Sequence, residues 1–92
     1  MIFEWDHDKA VGNLKKHRVS FQEAAEVFND PLAASISDTT HSTDESRFIT
    51  IRRSAKGRIL LVIYNERGES LRIISARLAT RQEIRIYEET KI

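Results

Sequence analysis

Apolar residues change their spacing several times along this chain, and the changes divide it into elements. Ile2-Phe3-Glu4-Trp5 is short and bulky enough to read as a strand. Asp6 to Asp8 then offers N-capping carboxylates, and Lys9 to His17 places Ala10 and Leu14 on one helical face. Gly12 weakens that helix by about 1 kcal/mol relative to Ala. A second helix is predicted from Ser20, whose S-x-x-E spacing with Glu23 makes a capping box ahead of Phe21, Ala24, Ala25 and Phe28. Asn29-Asp30-Pro31 stops it.

A period of two then takes over. Leu32, Ala34 and Ile36 alternate with Ala33, Ser35 and Ser37, as in a half-exposed strand. Thr39 to Ser46 is a polar loop, and Arg47 to Arg53 is the next strand, with Ile49 and Ile51 on one face. Ser54 to Gly57 turns into Arg58–Tyr64, which is apolar on both faces and so predicts a strand covered on both sides. Asn65 to Gly68 turns again into Leu71–Arg77. At Thr80 the helical period returns: Thr80 and Glu83 make a second capping box, and Ile84 and Tyr87 lie one turn apart. The order β-α-α-β-β-β-β-α, with short links between the last three strands, predicts an α+β fold. It is a small antiparallel meander with two N-terminal helices and one C-terminal helix. Repeats and low-complexity segments are absent, so residues 1–92 read as one domain.

Composition adds little until charge is divided along the chain. Apolar content of 40% and charged content of 32% fit a globular protein. The lack of cysteine removes disulfides, thiol nucleophiles and thiolate metal sites. The N-terminus has no signal-peptide pattern and no apolar run approaches the roughly 20 residues of a membrane span, which predicts a cytoplasmic protein with no membrane partner. The net charge of +1 conceals a division. Residues 1–46 carry 4 Lys/Arg against 9 Asp/Glu, and residues 47–92 carry 11 against 5. That segregation predicts a basic face and a polyanionic ligand.

The simplest hairpin registers put Arg53 opposite Arg58 and Arg77 near Gly57 and Arg58. Arg53, Lys56, Arg58 and Arg77 would then gather at one sheet end beside the helix that starts at Thr80. Arg72 falls toward the other end. The strand that carries Arg72, Ser75 and Arg77 into a helix N-terminus offers a place for an anion at its Arg77 end, and Arg72, nearer the opposite end, has a different job. Of the histidines, His7 lies among capping acids, His41 lies in the polar loop, and His17 closes a helix after Lys15-Lys16. His17 reads either as a cap for the last helical carbonyls or as a proton-transfer group. Asp6-His7-Asp8 has no second ligand cluster, and no i,i+4 histidine pair exists, so neither a metal nor another cofactor is expected.

Several segments together resemble the BrnT-type ribonuclease toxins of bacterial type II toxin–antitoxin systems. They are Phe3-Glu4-Trp5-Asp6 with Lys9, Ala10, Asn13, Lys16 and His17; Val19-Ser20-Phe21 with Glu23-Ala24, Val27-Phe28 and Asp30-Pro31; and Arg72-Ile73-Ile74-Ser75-Ala76-Arg77 with Ala79-Thr80, Glu83 and Tyr87. Arg52 stands where members often carry Gly. The resemblance implies a RelE-like fold, metal-independent RNA cleavage that arrests translation and growth, and neutralisation by a tightly bound antitoxin. The implied partner is a ribbon-helix-helix protein of the BrnA type, with operator DNA bound only through the complex. Cleavage by a neighbouring 2′-hydroxyl needs an acid, a base and cations for the added phosphoryl charge. Under this resemblance His17, with Tyr87 second, is the acid/base candidate, and Arg72 and Arg77 contact the reacting phosphate. Lys16, Arg52, Arg53, Lys56 and Arg58 supply further RNA contacts. The rival readings are a non-catalytic RNA-binding module and a protein-interaction module that use the same basic face.

Overall fold

A computed structural model of the chain describes residues 2–31, 34–37 and 47–90, the short segment 34–37 by its backbone. The elements are β1 (Ile2–Glu4), α1 (His7–His17), α2 (Phe21–Glu26), a single 3₁₀ turn (Val27–Asn29), β2 (Ala34–Ser37), β3 (Arg47–Arg53), β4 (Ile59–Arg67), β5 (Ser70–Leu78) and α3 (Arg81–Thr90). The expected element order holds. Leu32, Ala33 and the 39–46 loop with His41 lie outside the described residues.

The sheet differs from the expected meander in one respect. Its strand order is β1-β5-β4-β3-β2, and β2 to β5 do run antiparallel in sequence, but β1 pairs parallel to β5. The sheet is therefore mixed. Antiparallel pairing along β3–β5 follows from short connections, whereas β1 reaches β5 across most of the chain, with Phe3 opposite Leu71. A contact so distant in sequence leaves no local signal.

β1 covers only the first residues of β5, through Arg72. Further along, a side chain takes the place of a strand. Asn13 of α1 donates through Nδ2 to the carbonyls of Val19 (2.9 Å) and Ala76 (2.8 Å), and its Oδ1 accepts from the Ala76 amide (3.2 Å). Asn13 is 8% exposed. Replacing it with alanine would strand a buried amide and two carbonyls. The Asn13→Ala variant should lose about 2–3 kcal/mol, read as a lower urea midpoint with an unchanged m-value; an unshifted midpoint would mean that water replaces the amide.

The sheet separates two apolar layers. Between the sheet and α1/α2 lie Val19, Phe21, Ala24, Val27, Leu60, Val62, Tyr64, Leu71, Ile73 and Ala76. Phe28 extends this layer, meeting Tyr64 edge-on at 5.0 Å between ring centres. The layer under α3 is smaller and is centred on Ile51, Leu61 and Tyr87. β4 serves both, which is why its sequence is apolar on both faces.

Both capping boxes form, in different ways. Thr80 and Glu83 cap reciprocally: Glu83 N donates to Thr80 Oγ1 (3.2 Å), and Thr80 N donates to Glu83 Oε1 (2.8 Å). At α2 the Ser20 hydroxyl accepts from Glu23 N (3.0 Å), but the Glu23 carboxylate turns away. It takes up Ser54 Oγ (2.7 Å) and the Arg58 guanidinium.

Candidate active site

The β4–β5 hairpin sets the faces of the arginines. It closes later than the simplest register predicts, with Arg67 opposite Ser70 and Gly68 (φ 58°) opening a two-residue loop. Arg77 consequently lies opposite Leu61, and Arg53 lies opposite Ile59. The ladder also slips by one residue: Tyr64 faces Ile73 while Ile63 faces Ser75, so Ile74 is the extra residue of a β-bulge. The slip matters because side chains alternate. Arg72 and Arg77, five positions apart, would point to opposite faces of a regular strand. With Ile74 inserted, Leu71, Ile73 and Ala76 all join the α1/α2 layer, and Arg72, Ser75 and Arg77 all turn to the α3 face. Arg53 shares that face, because its partner Ile59 packs in the α3 layer.

α1, which carries His17 in its last turn, ends at the same end of the sheet as Arg77. Asn13 touches Ala76 and accepts from Ser75 Oγ at 3.5 Å, and His17 lies one turn further along the same helical stripe. The helix ends at Arg18, in the left-handed conformation (φ 59°), whose carbonyl accepts from Arg58 Nη2 (3.1 Å). Arg58 precedes Ile59, and the Ile59 carbonyl accepts from Ala79 N (2.9 Å), so α1 ends at the sheet end to which Arg77 belongs. The His17 imidazole is half-buried and makes no hydrogen bond among the described residues. The expected carbonyl cap is supplied instead by the Arg18 amide, which donates to Leu14 O. Lys16 is exposed in the last turn of the helix, and Lys56 is exposed in the β3–β4 turn.

Arg77 is held in a fixed orientation. Its Nη1 donates to Glu83 Oε1 (2.8 Å) and Leu78 O (3.2 Å), and its Nη2 donates to Glu83 Oε2 (3.0 Å). The guanidinium holds the Glu83 carboxyl below its ordinary value of 4.5, with the Thr80 amide assisting. The positive end of α3 is therefore already met by a carboxylate of the chain itself. This was hidden in the sequence by the double duty of Glu83, which reads there only as a cap. Arg72 is half-buried, in register with Glu4 on one side and Asn65 on the other, and its side chain makes no hydrogen bond or ion pair among the described residues.

Three expected contact residues are engaged elsewhere. Arg58 pairs with Glu23, whose side chain is 2% exposed, and holds its carboxyl below 4.5; desolvation opposes this, and Ser54 assists. Arg52 lies 4.9 Å above the Phe28 ring, donates through Nε to Thr50 Oγ1 (3.0 Å) and approaches the Phe28 and Asp30 carbonyls. Its side chain clamps β3 to the 3₁₀ turn and the residue after it, a use that a Gly there could not have. Tyr87 is 1% exposed and donates to Asp30 Oδ2 (2.7 Å), an oxygen that also accepts from Arg53 N (2.9 Å). Burial, and then the Asp30 bond, raise its pKa. Those contacts pin α3 to β3 and to the end of the 3₁₀ turn, and they give Tyr87 a place in the core rather than at a reacting phosphate.

Comparison with known proteins decides the family. The family model described as ribonuclease toxin, BrnT, of type II toxin–antitoxin system matches residues 5–83. The chain belongs to the BrnT family. The match includes His17, Arg72, Arg77 and Glu83 and stops short of Tyr87. Among solved structures, the Brucella abortus ribonuclease toxin BrnT is similar, with a TM-score of 0.66 and 24% identity over 88% of this chain and 100% of that one. This likeness supports the α+β BrnT fold. No curated protein matches the chain closely. Membership of a BrnT family assigns the chain to the ribonuclease toxins of toxin–antitoxin systems, which take RNA as substrate and an antitoxin as partner. Among the described residues, no helix is long and apolar enough to cross a membrane.

Proposed function

We propose that this BrnT-family chain is a cytoplasmic endoribonuclease that needs no divalent metal and is neutralised by a ribbon-helix-helix antitoxin, with operator DNA bound only through their complex. One observation carries the reading. The Ile74 bulge turns Arg72, Ser75 and Arg77 to one face, and Ser75 Oγ meets Asn13 of α1, one helical turn before His17. The arrangement suits attack of a 2′-hydroxyl on the neighbouring phosphate. His17 takes or returns the proton, and the Arg77 guanidinium meets the charge that grows on the phosphoryl oxygens. Arg72 holds the RNA backbone further along the same face. Arg53, Lys16 and Lys56 are exposed and supply salt-sensitive attraction for flanking phosphates. On this reading the arginines supply the cations for the chemistry.

Expressed in bacteria, the chain should arrest growth and shorten cellular transcripts. Co-expression of the product of the adjacent gene should restore both and yield a stable complex on purification. Continued arrest with the partner bound would sink neutralisation by that protein. Growth arrest with intact transcripts would favour a module that interacts without cutting.

A further inference from the structure

The structure assigns Glu83 a second task besides capping α3: it is a positioning residue that presents one edge of Arg77 to a phosphate. The inference rests on the reading of Arg77 given above and adds the residue that aims it. A guanidinium carries five N–H groups on a planar frame. Glu83 occupies the edge between Nη1 and Nη2 with both carboxylate oxygens, and Leu78 O takes the remaining N–H of Nη1. The two N–H groups left over, on Nε and Nη2, lie on the adjoining edge and make no hydrogen bond among the described residues. Two parallel donors on one edge match two oxygens of a phosphate. The Arg77 side chain is 37% exposed and that of Glu83 is 20% exposed, so the pair stands at the surface with its open edge reachable. Glu83 is itself fixed, because its Oε1 also accepts from Thr80 N at the first turn of α3. Helix cap, carboxylate and guanidinium thus form one chain of contacts that ends in a fork of fixed direction.

This predicts a separation of rate from affinity. In Glu83→Gln the amide oxygen still accepts from Thr80 N, so the cap persists, but the amide NH₂ faces an Arg77 nitrogen that can only donate. The guanidinium loses its fixed direction while a negative charge leaves the RNA face. Single-turnover cleavage of a labelled transcript that the wild-type chain cuts, over a range of protein concentrations, reads both quantities. E83Q should lower the limiting rate about 10- to 100-fold, as expected when a reacting contact is misaligned, with half-saturation unchanged or tighter. E83D should recover part of the rate. T80A, which removes the hydroxyl that accepts from Glu83 N but keeps the Thr80 backbone N–H that holds the Glu83 carboxylate, should lower the melting temperature and leave the limiting rate near that of the wild type. A normal limiting rate in E83Q alongside slow cleavage by R77A overturns the Glu83 assignment alone. Equal slowing in E83Q and T80A also overturns it, in favour of the cap. Normal cleavage by R77A removes the phosphate reading and the Glu83 assignment together.

Discussion

Replacing Arg77 with alanine should slow RNA cleavage by roughly 30- to 1,000-fold while the protein stays folded. The size follows from the 2–4 kcal/mol, on the order of magnitude, that a charge-assisted contact contributes when it strengthens in the transition state. The fold should survive because the ion pair with Glu83 is partly exposed, and such pairs contribute about 0–1 kcal/mol. Glu83 would keep its bonds to Thr80 and so its place at the start of α3. Arg77→Lys should recover only part of the rate. One ammonium can satisfy Glu83 or the phosphate, whereas the guanidinium has separate edges for each. Cleavage and thermal melts measured on the same preparations decide the matter. A folded Arg77→Ala protein that cuts RNA normally refutes the role, and one that no longer folds makes Arg77 a structural residue.

Arg58→Ala should have the opposite profile, a large loss of stability with little direct effect on chemistry. Its partner Glu23 is buried between α2 and the β3–β4 turn, and removing the guanidinium leaves that carboxylate with only Ser54 for company. Breaking a buried pair from one side typically costs about 3–5 kcal/mol; partial exposure of Arg58 (33%) places the expectation near 3. For a domain of this size that is a fall of about 12–24 °C in Tm. Glu23→Ala should cost less, since the released Arg58 can turn to solvent. The pH dependence has a definite sign. Folding lowers the Glu23 pKa, so its contribution is complete above the ordinary value of 4.5 and is lost as pH falls below it. The gap between wild type and Arg58→Ala should accordingly narrow as acid protonates Glu23. An Arg58→Ala protein with normal stability and weakened RNA binding would return this residue to the phosphate contacts.

The two arginines show what could be read from the sequence. Element order, both capping serine and threonine positions and the doubly covered β4 followed from local spacing, because caps and periodicities are set by neighbours along the chain. The expected gathering of Arg53, Lys56, Arg58 and Arg77 did not follow as drawn: the β4–β5 hairpin closes later, so Arg77 lies opposite Leu61, and Arg58 turns to Glu23 of α2. Local spacing does not contain the partner of a charged side chain. Arg58 and Arg77 look alike in sequence, yet one is answered by a glutamate 35 residues away and the other by one 6 residues away. Both glutamates read as simple caps. The parallel β1 was hidden for the same reason, as was Asn13, whose amide stands in for a strand. The Ile74 bulge was hidden because an extra residue in a strand leaves composition unchanged; the one trace is that Leu71, Ile73 and Ala76 break the period of two. That small irregularity determines whether Arg72 and Arg77 share a face.

The claim that this face cleaves RNA through the chain's own cations is tested most directly by incubating the purified chain with a defined transcript in excess EDTA and analysing the new ends. Cleavage should persist, leaving 2′,3′-cyclic phosphate or 3′-phosphate on one fragment and 5′-hydroxyl on the other. Loss of cutting in EDTA that a divalent ion restores, or 5′-phosphate ends, would contradict it.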